Sequence, residues 1–401
     1  MYDARLLFFT FVLAVPAANA QAPHDEIDEL GTIQVTATRR AESTLDVPTG
    51  VTVVDEAQVR EAFAPTAMDL LHGEVGTFVQ QTTPGQSIVI VRGLKGSEVL
   101  HLVDGFRLNN AIFRNSPNQY MALVDGQAIE RVEVVRGPMS TLYGGDAMGG
   151  VVQLFSVEPE FTGADWQASG RVRAVFASAD DSILTRAEAS GGREGLALTG
   201  GVSYQDVDEL RVGGGDTLPF TAFRARAGNL KAIWSPTAGH ELMLQAQALK
   251  QPSTPRFDEL FPGFGQTRAN SSEFAFEPQT REFLQGRWRM SNPTPAFDSL
   301  ELMAGHQVIR DDRRNRDFGT LNRDTERNDV DTLGVGVVAE KTLSASQHMA
   351  YGAEYYRDDV SSSRQRTNIN TGAVSARASR FPNGSTMRQF GVFATHDWQI
   401  A

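Results

Sequence analysis

Cysteine is absent from all 401 residues. Its absence excludes cysteine-ligated zinc fingers, iron–sulfur clusters and disulfide scaffolds. It also suits a chain that matures in an oxidising compartment. No G-x-x-x-x-G-K-[ST] loop is present to cradle phosphates, so ATP is not consumed by that route. Neither H-E-x-x-H nor G-x-S-x-G occurs, and nothing in the sequence supports a catalytic role. Basic residues are outnumbered, 37 Lys and Arg against 49 Asp and Glu, for a net charge of −12. With no Lys/Arg-rich block, the balance argues against a nucleic-acid partner. Beyond the first twenty residues no stretch approaches the ~20 apolar residues a membrane helix needs. A membrane-spanning role would therefore fall to strands.

What is present begins with an export signal. Arg5 supplies a positive charge, Leu6–Val15 an apolar core, and Ala18-Asn19-Ala20 a small-x-small cleavage site, so residues 1–20 read as a signal peptide. Residues 21–44 follow as a leader whose acidic, polar first part, Gln21–Gly31, has little to bury. The β-prone hexamer Thr32, Ile33, Gln34, Val35, Thr36, Ala37 stands between flexible flanks. Such a segment suits either strand addition to a partner's sheet edge or the first strand of the next domain.

Residues 45–156 read as a mixed α/β unit, and about 110 residues suffice for one core. Val51–Val54 predicts a strand. Asp55, with Gln58 three positions on, predicts a capped helix from Glu56. A second helix is expected to bury Ala67, Leu70 and Leu71. Strands are expected at Thr77–Gln80, Ser87–Val91, Val99–Val103 and Ile129–Val135, with a tight turn at Asp104-Gly105.

Residues 157–401 change pattern. Trp166, Ala168, Gly170, Val172, Ala174 and Phe176 alternate with polar neighbours, as do Leu196–Tyr204 and Leu242–Ala248. Half-buried soluble sheets alternate too, but ten-residue runs with aromatics near their ends suit a barrel facing lipid. Short links near Gly191–Gly195, Ser235–His240, Ser291–Asp298 and Leu343–Gln347 alternate with long ones at Asp206–Phe220, Gln251–Pro278, Asp311–Arg327 and Ser361–Ser385. Soluble domains seldom carry several such loops, whereas outer-membrane barrels place tight turns inside and long loops outside. Two strands fit less well. Ala222–Trp234 switches face near Gly228, which suggests a bulge, and Leu300–Arg310 alternates poorly.

The segment Ile129–Ser156, IERVEVVRGPMSTLYGGDAMGGVVQLFS, together with VRG at Val91–Gly93 and LVDGFRLNN at Leu102–Asn110, resembles the plug domain of TonB-dependent outer-membrane receptors. The resemblance implies an α+β plug domain followed by an antiparallel transmembrane β-barrel, with about ten strands present of an expected 22. Ten strands ~4.8 Å apart and tilted ~40° close to a radius near ~10 Å, too narrow for a plug whose radius of gyration is ~13 Å. The chain therefore reads as an N-terminal fragment of the receptor. An open sheet would leave edge groups in lipid, so this segment is not expected to form a stable plugged pore alone.

The same resemblance implies a Gram-negative outer-membrane location, uptake of a metal chelate, foremost a ferric siderophore, and energy taken from the proton gradient through TonB. Thr32–Ala37 then corresponds to the TonB box. Arg92 and Arg136, closing plug strands at R-G turns, are implied to lock plug to barrel glutamates. Arg107, Asn109, Asn110, Phe113, Arg114, Asn115, Asn118 and Tyr120 fall in a loop implied to reach the plug apex beneath the ligand. Their donors and aromatic faces suit an anionic, oxygen-rich chelate. No cofactor, resident metal or nucleic acid is expected; the partners are TonB, outer-membrane lipid and the chelate. Haem and cobalamin receptors, a non-functional remnant and a passive porin remain alternatives. Histidines are missing from the long loops, which weighs against haem. Phe257, Phe261, Phe264, Phe274 and Phe276 face a ligand or pack their loop on itself. Asp311–Arg327 reads as a solvated charged rim, and Asp206–Glu209 lacks the spacing of a calcium loop.

Overall fold

The computed structural model describes residues 34–35, 39, 42–43, 47, 49–62, 64–114 and 120–398. The signal peptide, most of the leader, Thr32, Ile33, Thr36, Ala37, Asn115 and Asn118 lie outside the described residues.

The plug is built on a five-stranded mixed sheet ordered Gly50–Val54, Ile129–Arg136, Gly150–Ser156, Val99–Val103, Phe106–Arg107. Gly150–Ser156 runs antiparallel to Ile129–Arg136 and parallel to Val99–Val103. A three-stranded sheet, Thr77–Thr83, Gln86–Val91 and Leu94–Lys95, packs beside it. Asp55 caps helix Glu56–Glu61 with the full capping box to Gln58. The second helix is shorter than expected, a 3-10 turn at Asp69–Leu71. The reason is local. The side chain of Asp69 accepts from the backbone and hydroxyl of Thr66, fixing a turn there, while Ala67, Leu70 and Leu71 are still buried. Gly150 is required where the last plug strand begins opposite Arg136, since a Cβ there would lie 2.2 Å from the Val135 carbonyl oxygen.

The plug lies against a wall of ten long antiparallel strands in simple up-and-down order. They are Gln167–Ala177, Ser182–Arg193, Leu196–Val207, Phe223–Thr237, His240–Gln251, Ser271–Met290, Ser299–Asp317, Asn322–Ser344, Gln347–Asn368 and Ser385–Trp398. At one end the links are 194–195, 238–239, 291–298 and 345–346, the four short turns expected from sequence. At the other end two links are shorter than expected. Ser299–Asp317 and Asn322–Ser344 leave only 318–321 between them, and Val374–Arg377 continues the pairing beyond Gln347–Asn368. The mixed charges that read as loop are cross-strand partners: Arg313 faces Glu326, which faces Arg364, and Asp324 faces Arg366. Opposite charges directly across a sheet stabilise it. At 23 residues, Asn322–Ser344 spans roughly 75 Å of extended chain. It therefore rises far above a hydrocarbon core of ~30 Å.

Gly228 carries no bulge. Phe223–Thr237 pairs with Leu196–Val207 in continuous register from Leu196↔Trp234 to Val207↔Phe223. The apparent switch is a change of surroundings. Phe223 and Ala225 face the plug while Arg224 and Arg226 face outward; further along, Lys231 faces the plug side and Leu230 and Trp234 face outward. Ser299–Asp317 alternates in the same way: Gly305, Gln307, Ile309, Asp311 and Arg313 face inward while Leu302, His306 and Arg310 face out.

The four tryptophans of the chain, Trp166, Trp234, Trp288 and Trp398, are exposed on the outer face, at strand ends beside the short turns. Apolar side chains such as Leu230, Leu284 and Val392 lie exposed above them. Aromatics at that level mark a membrane interface. In bilayers, the intrinsic fluorescence is expected to be quenched more by phospholipids brominated near the headgroup than by those brominated near the chain end. Equal quenching by both would contradict this placement.

Candidate functional site at the plug–wall contact

The chain turns back at Asp104 and Gly105, both in the left-handed region at φ 47° and 81°. This tip meets the wall. The Asp104 carboxylate accepts from the Ser156 backbone (3.0 Å), the Ser156 hydroxyl (2.6 Å) and Gln245 Nε2 (2.9 Å). Lys231 Nζ lies 3.7 Å away and donates to the Ser156 carbonyl at 3.0 Å. It also reaches Glu158 at 3.1 Å, which Arg287 contacts at 3.2 Å. Gln285 donates to the Asp104 carbonyl at 3.0 Å. Burial opposes charge on Asp104, yet Lys231 and the Ser156 and Gln245 donors hold its carboxyl below the ordinary range.

Beside this knot Phe106 enters the wall. It packs against Phe283 and Tyr356 at ring distances of 5.1 and 5.4 Å. Glycines make the room: a Cβ at Gly305 would sit 2.6 Å from the Phe106 ring, and one at Gly334 would sit 2.4 Å from Tyr356.

Further polar contacts ring the plug. Arg186 pairs with Asp125 at 3.2 Å and bonds Asn229 at 3.0 Å, its guanidinium occupying the space above Gly201. The Ala111 amide donates to Asp358 at 2.7 Å. Gln86 and Gln279 bond at 2.7 Å. Asp311 is fully buried and gathers Arg114 (3.3 Å), the Tyr120 hydroxyl (3.3 Å), Gln279 and Arg313. The charged rim expected at Asp311–Arg327 is thus, at Asp311 and Arg313, an inward face closed over by the plug. Near the N-terminus Arg39 pairs with wall Glu354, its guanidinium 4.1 Å from the Tyr143 ring of the plug and 5.2 Å from Phe393 of the wall. Gln34–Val35 pairs with Glu42–Ser43 on either side of it.

The implied lock residues sit within the plug. Arg136 donates to the Thr52 hydroxyl at 2.5 Å and to the Val75 carbonyl. The Arg92 guanidinium lies against Gly137, where a Cβ would be 3.1 Å from it. Neither makes an ion pair with a described glutamate of the wall. Of the implied apex residues, Arg107 is buried, bonding Asp146 (2.8 Å) and the carbonyls of Tyr143 and Gly145. Asn109 bonds Val99 and His101, Asn110 is buried beside Leu108, and Phe113 packs against His101 and Tyr120. In the large loop Phe257 stacks on Phe261 and Phe274 tilts against Phe276, while Phe264 is exposed. No cluster of His, Asp or Glu fit to hold a metal occurs among the described residues. Sequence reading passed over Arg39, Asp104 as a ligand, Asp125, Glu158, Arg186, Lys231, Glu354 and Asp358. Their signal was charge at inward positions of otherwise alternating strands, as with Arg186 and Lys231.

A plug held against the inner face of an up-and-down wall, with lipid-facing aromatics outside, is the architecture of a plugged outer-membrane barrel. The family described as TonB-dependent Receptor Plug Domain matches residues 43–151. A vitamin B12 transporter, BtuB, of Vibrio vulnificus is 33% identical over 202 residues, covering 47% of this chain and 31% of that protein. A hemin receptor of Yersinia pestis is 32% identical over 191 residues, covering 47% and 28%. Among solved structures, the copper transporter OprC superposes with a TM-score of 0.72 at 16% identity, covering 87% of this chain and 52% of that one. The unliganded ferric citrate transporter FecA gives 0.66 at 14%, covering 92% and 57%. Over residues 43–151 the chain matches the plug-domain family of TonB-dependent receptors, and over about half its length it is similar to outer-membrane receptors and transporters. Its matches span about a third of the length of these curated relatives.

Two outcomes follow from this geometry. Asp104→Ala leaves the Ser156 and Gln245 donors without their acceptor and Lys231 with Glu158 as its remaining counter-charge, and is expected to cost about 3 kcal/mol in urea unfolding, with Asp104→Asn recovering part through the Ser156 and Gln245 bonds; an unchanged midpoint would remove Asp104 from the contact. His101 is fully buried, and burial lowers its pKa from 6.5 to about 4 despite the Asn109 bond. The unfolded chain then takes up a proton that the folded plug refuses. This contribution is intact above pH 6.5 and is lost as pH falls towards 4, at up to ~1.4 kcal/mol per pH unit. His101→Gln is expected to flatten that part of the stability profile measured against pH.

Proposed function

We propose that the receptor carrying this chain binds a scarce metal chelate at the cell surface, foremost a ferric siderophore. It moves the chelate into the periplasm with energy drawn through TonB. The observation that carries this reading is the plug–wall contact. It is rich in ion pairs and hydrogen bonds, each strong while intact and costly once one partner leaves. A seal of that kind holds passively and yields to applied work, whereas a passive porin needs no such stopper. The clasp of Arg39 between Tyr143, Glu354 and Phe393 supports a coupling role for the Thr32–Ala37 segment just before it.

Two features support the cargo class. Relatives named as vitamin B12 transporters and hemin receptors carry metal-bearing ligands. Above the plug, Arg364, Arg366 and Arg380 gather around Asp324 and Glu326 on the inward face, with Arg114 and Arg313 below. That density of guanidinium groups suits an anionic, oxygen-rich chelate. Haem is the second reading, but His306 and His396 face outward, His240 and His348 stand beside the short turns, His72 lies against Asp69 of the plug and His101 is buried in the plug, so no described histidine is placed to ligate iron above the plug.

Deleting residues 32–37 in the receptor is expected to abolish growth on a ferric chelate as sole iron source while leaving chelate binding at the cell surface intact. Equal growth with and without the segment would reject energised uptake.

A further inference from the structure

On the outer face, one row of the wall places cations where the apolar band ends. Arg226 and Lys250 are direct cross-strand partners, both exposed and outward-facing, and neither makes an ion pair with a described residue. Like charges directly opposite destabilise a sheet. Their neighbours are largely satisfied: Arg224 pairs with Asp206 at 2.8 Å and Arg310 with Asp329 at 2.7 Å. Thr280 extends the row beyond Lys250, and Glu282 stands one step diagonally below it. Tyr204, opposite Arg226, places its ring 6.0 Å from that guanidinium.

Directly beneath the pair the wall loses its bulk. Gly228 and Ala248 are the next outward partners, followed by Leu230 and Ala246. These residues, with Val202 and Leu244, line an apolar groove of about 1400 Å³ on the outer surface. The row bearing Trp234 closes the far end of the band, eight positions below Arg226. Greasy groove and cationic cap thus follow one another along a single pair of strands, on the side away from the tryptophans and hence in the outer leaflet.

We propose that this groove is a lipid site: acyl chains of a phosphorylated outer-leaflet glycolipid lie over Gly228 and Ala248, and its phosphate bridges Arg226 and Lys250. A phosphate between the two side chains converts a repulsive pair into two charge-assisted contacts. The small residues below allow chains to approach the strand backbone where Leu or Val would hold them off.

Native mass spectrometry of the protein exchanged from vesicles of phosphatidylcholine doped with an acylated glucosamine disaccharide bisphosphate, or with the same lipid stripped of phosphate, tests this directly. The phosphorylated lipid is expected to be retained roughly 10-fold better. The double variant Arg226→Ser/Lys250→Ser is expected to lose that preference. Gly228→Leu, tolerated because a Cβ there meets nothing closer than 3.7 Å, is expected to weaken retention of both lipids. Equal retention of the two lipids by the unaltered protein overturns the proposal, whatever the variants do. Displacement of the bisphosphate lipid by inorganic phosphate alone also overturns it, leaving a simple anion site.

Discussion

Lys231 and Asp104 meet where the plug tip, the start of the linker and the wall converge, and the seating of the stopper depends on that contact. The wall's inner face carries charge that neither lipid nor bare backbone would satisfy. Lys231 reaches Asp104, the Ser156 carbonyl and Glu158 at once, so it ties the plug tip to the start of the linker. A buried pair of this kind adds little net stability compared with a greasy contact of equal volume. What it confers is position: the turn at Asp104-Gly105 fits one site on the wall, and Phe106 then finds the space left by Gly305 and Gly334.

The same division runs around the contact. Apolar wall residues such as Phe283, Ile309 and Val330 join the plug's core, while Arg186, Asp311, Glu354 and Asp358 contribute directional bonds between them. Burial supplies adhesion, and the polar set supplies register. Because the polar bonds need near-ideal geometry, a small shift of the plug breaks many of them together.

Much of this was legible in the residues. The capping box at Asp55 and Gln58, the left-handed turn at Asp104-Gly105, the ten wall strands and the four tight links all follow from local patterning that tertiary contacts reinforce. Gly228 misled because alternation was read against a single environment, whereas Phe223–Thr237 meets first apolar and then polar parts of the plug inside and passes from water to lipid outside. Asp311–Arg327 misled because alternating charge looks like loop until the partner strand is known; only the register shows that Arg313 faces Glu326. Plug–wall partners were the least legible. Arg186 and Asp125 are 61 positions apart, and nothing local marks either as the other's mate.

Gly50–Val54 lies at the margin of the plug's five-stranded sheet and is paired only with Ile129–Arg136. It is also the sheet's strand nearest the amino terminus. Tension entering from that terminus would therefore reach an outermost ribbon of five residues, bound along one side alone. Such a ribbon can peel away bond by bond, leaving the remaining four strands paired. A tug from that end loosens the stopper at its most expendable seam before it threatens the interior.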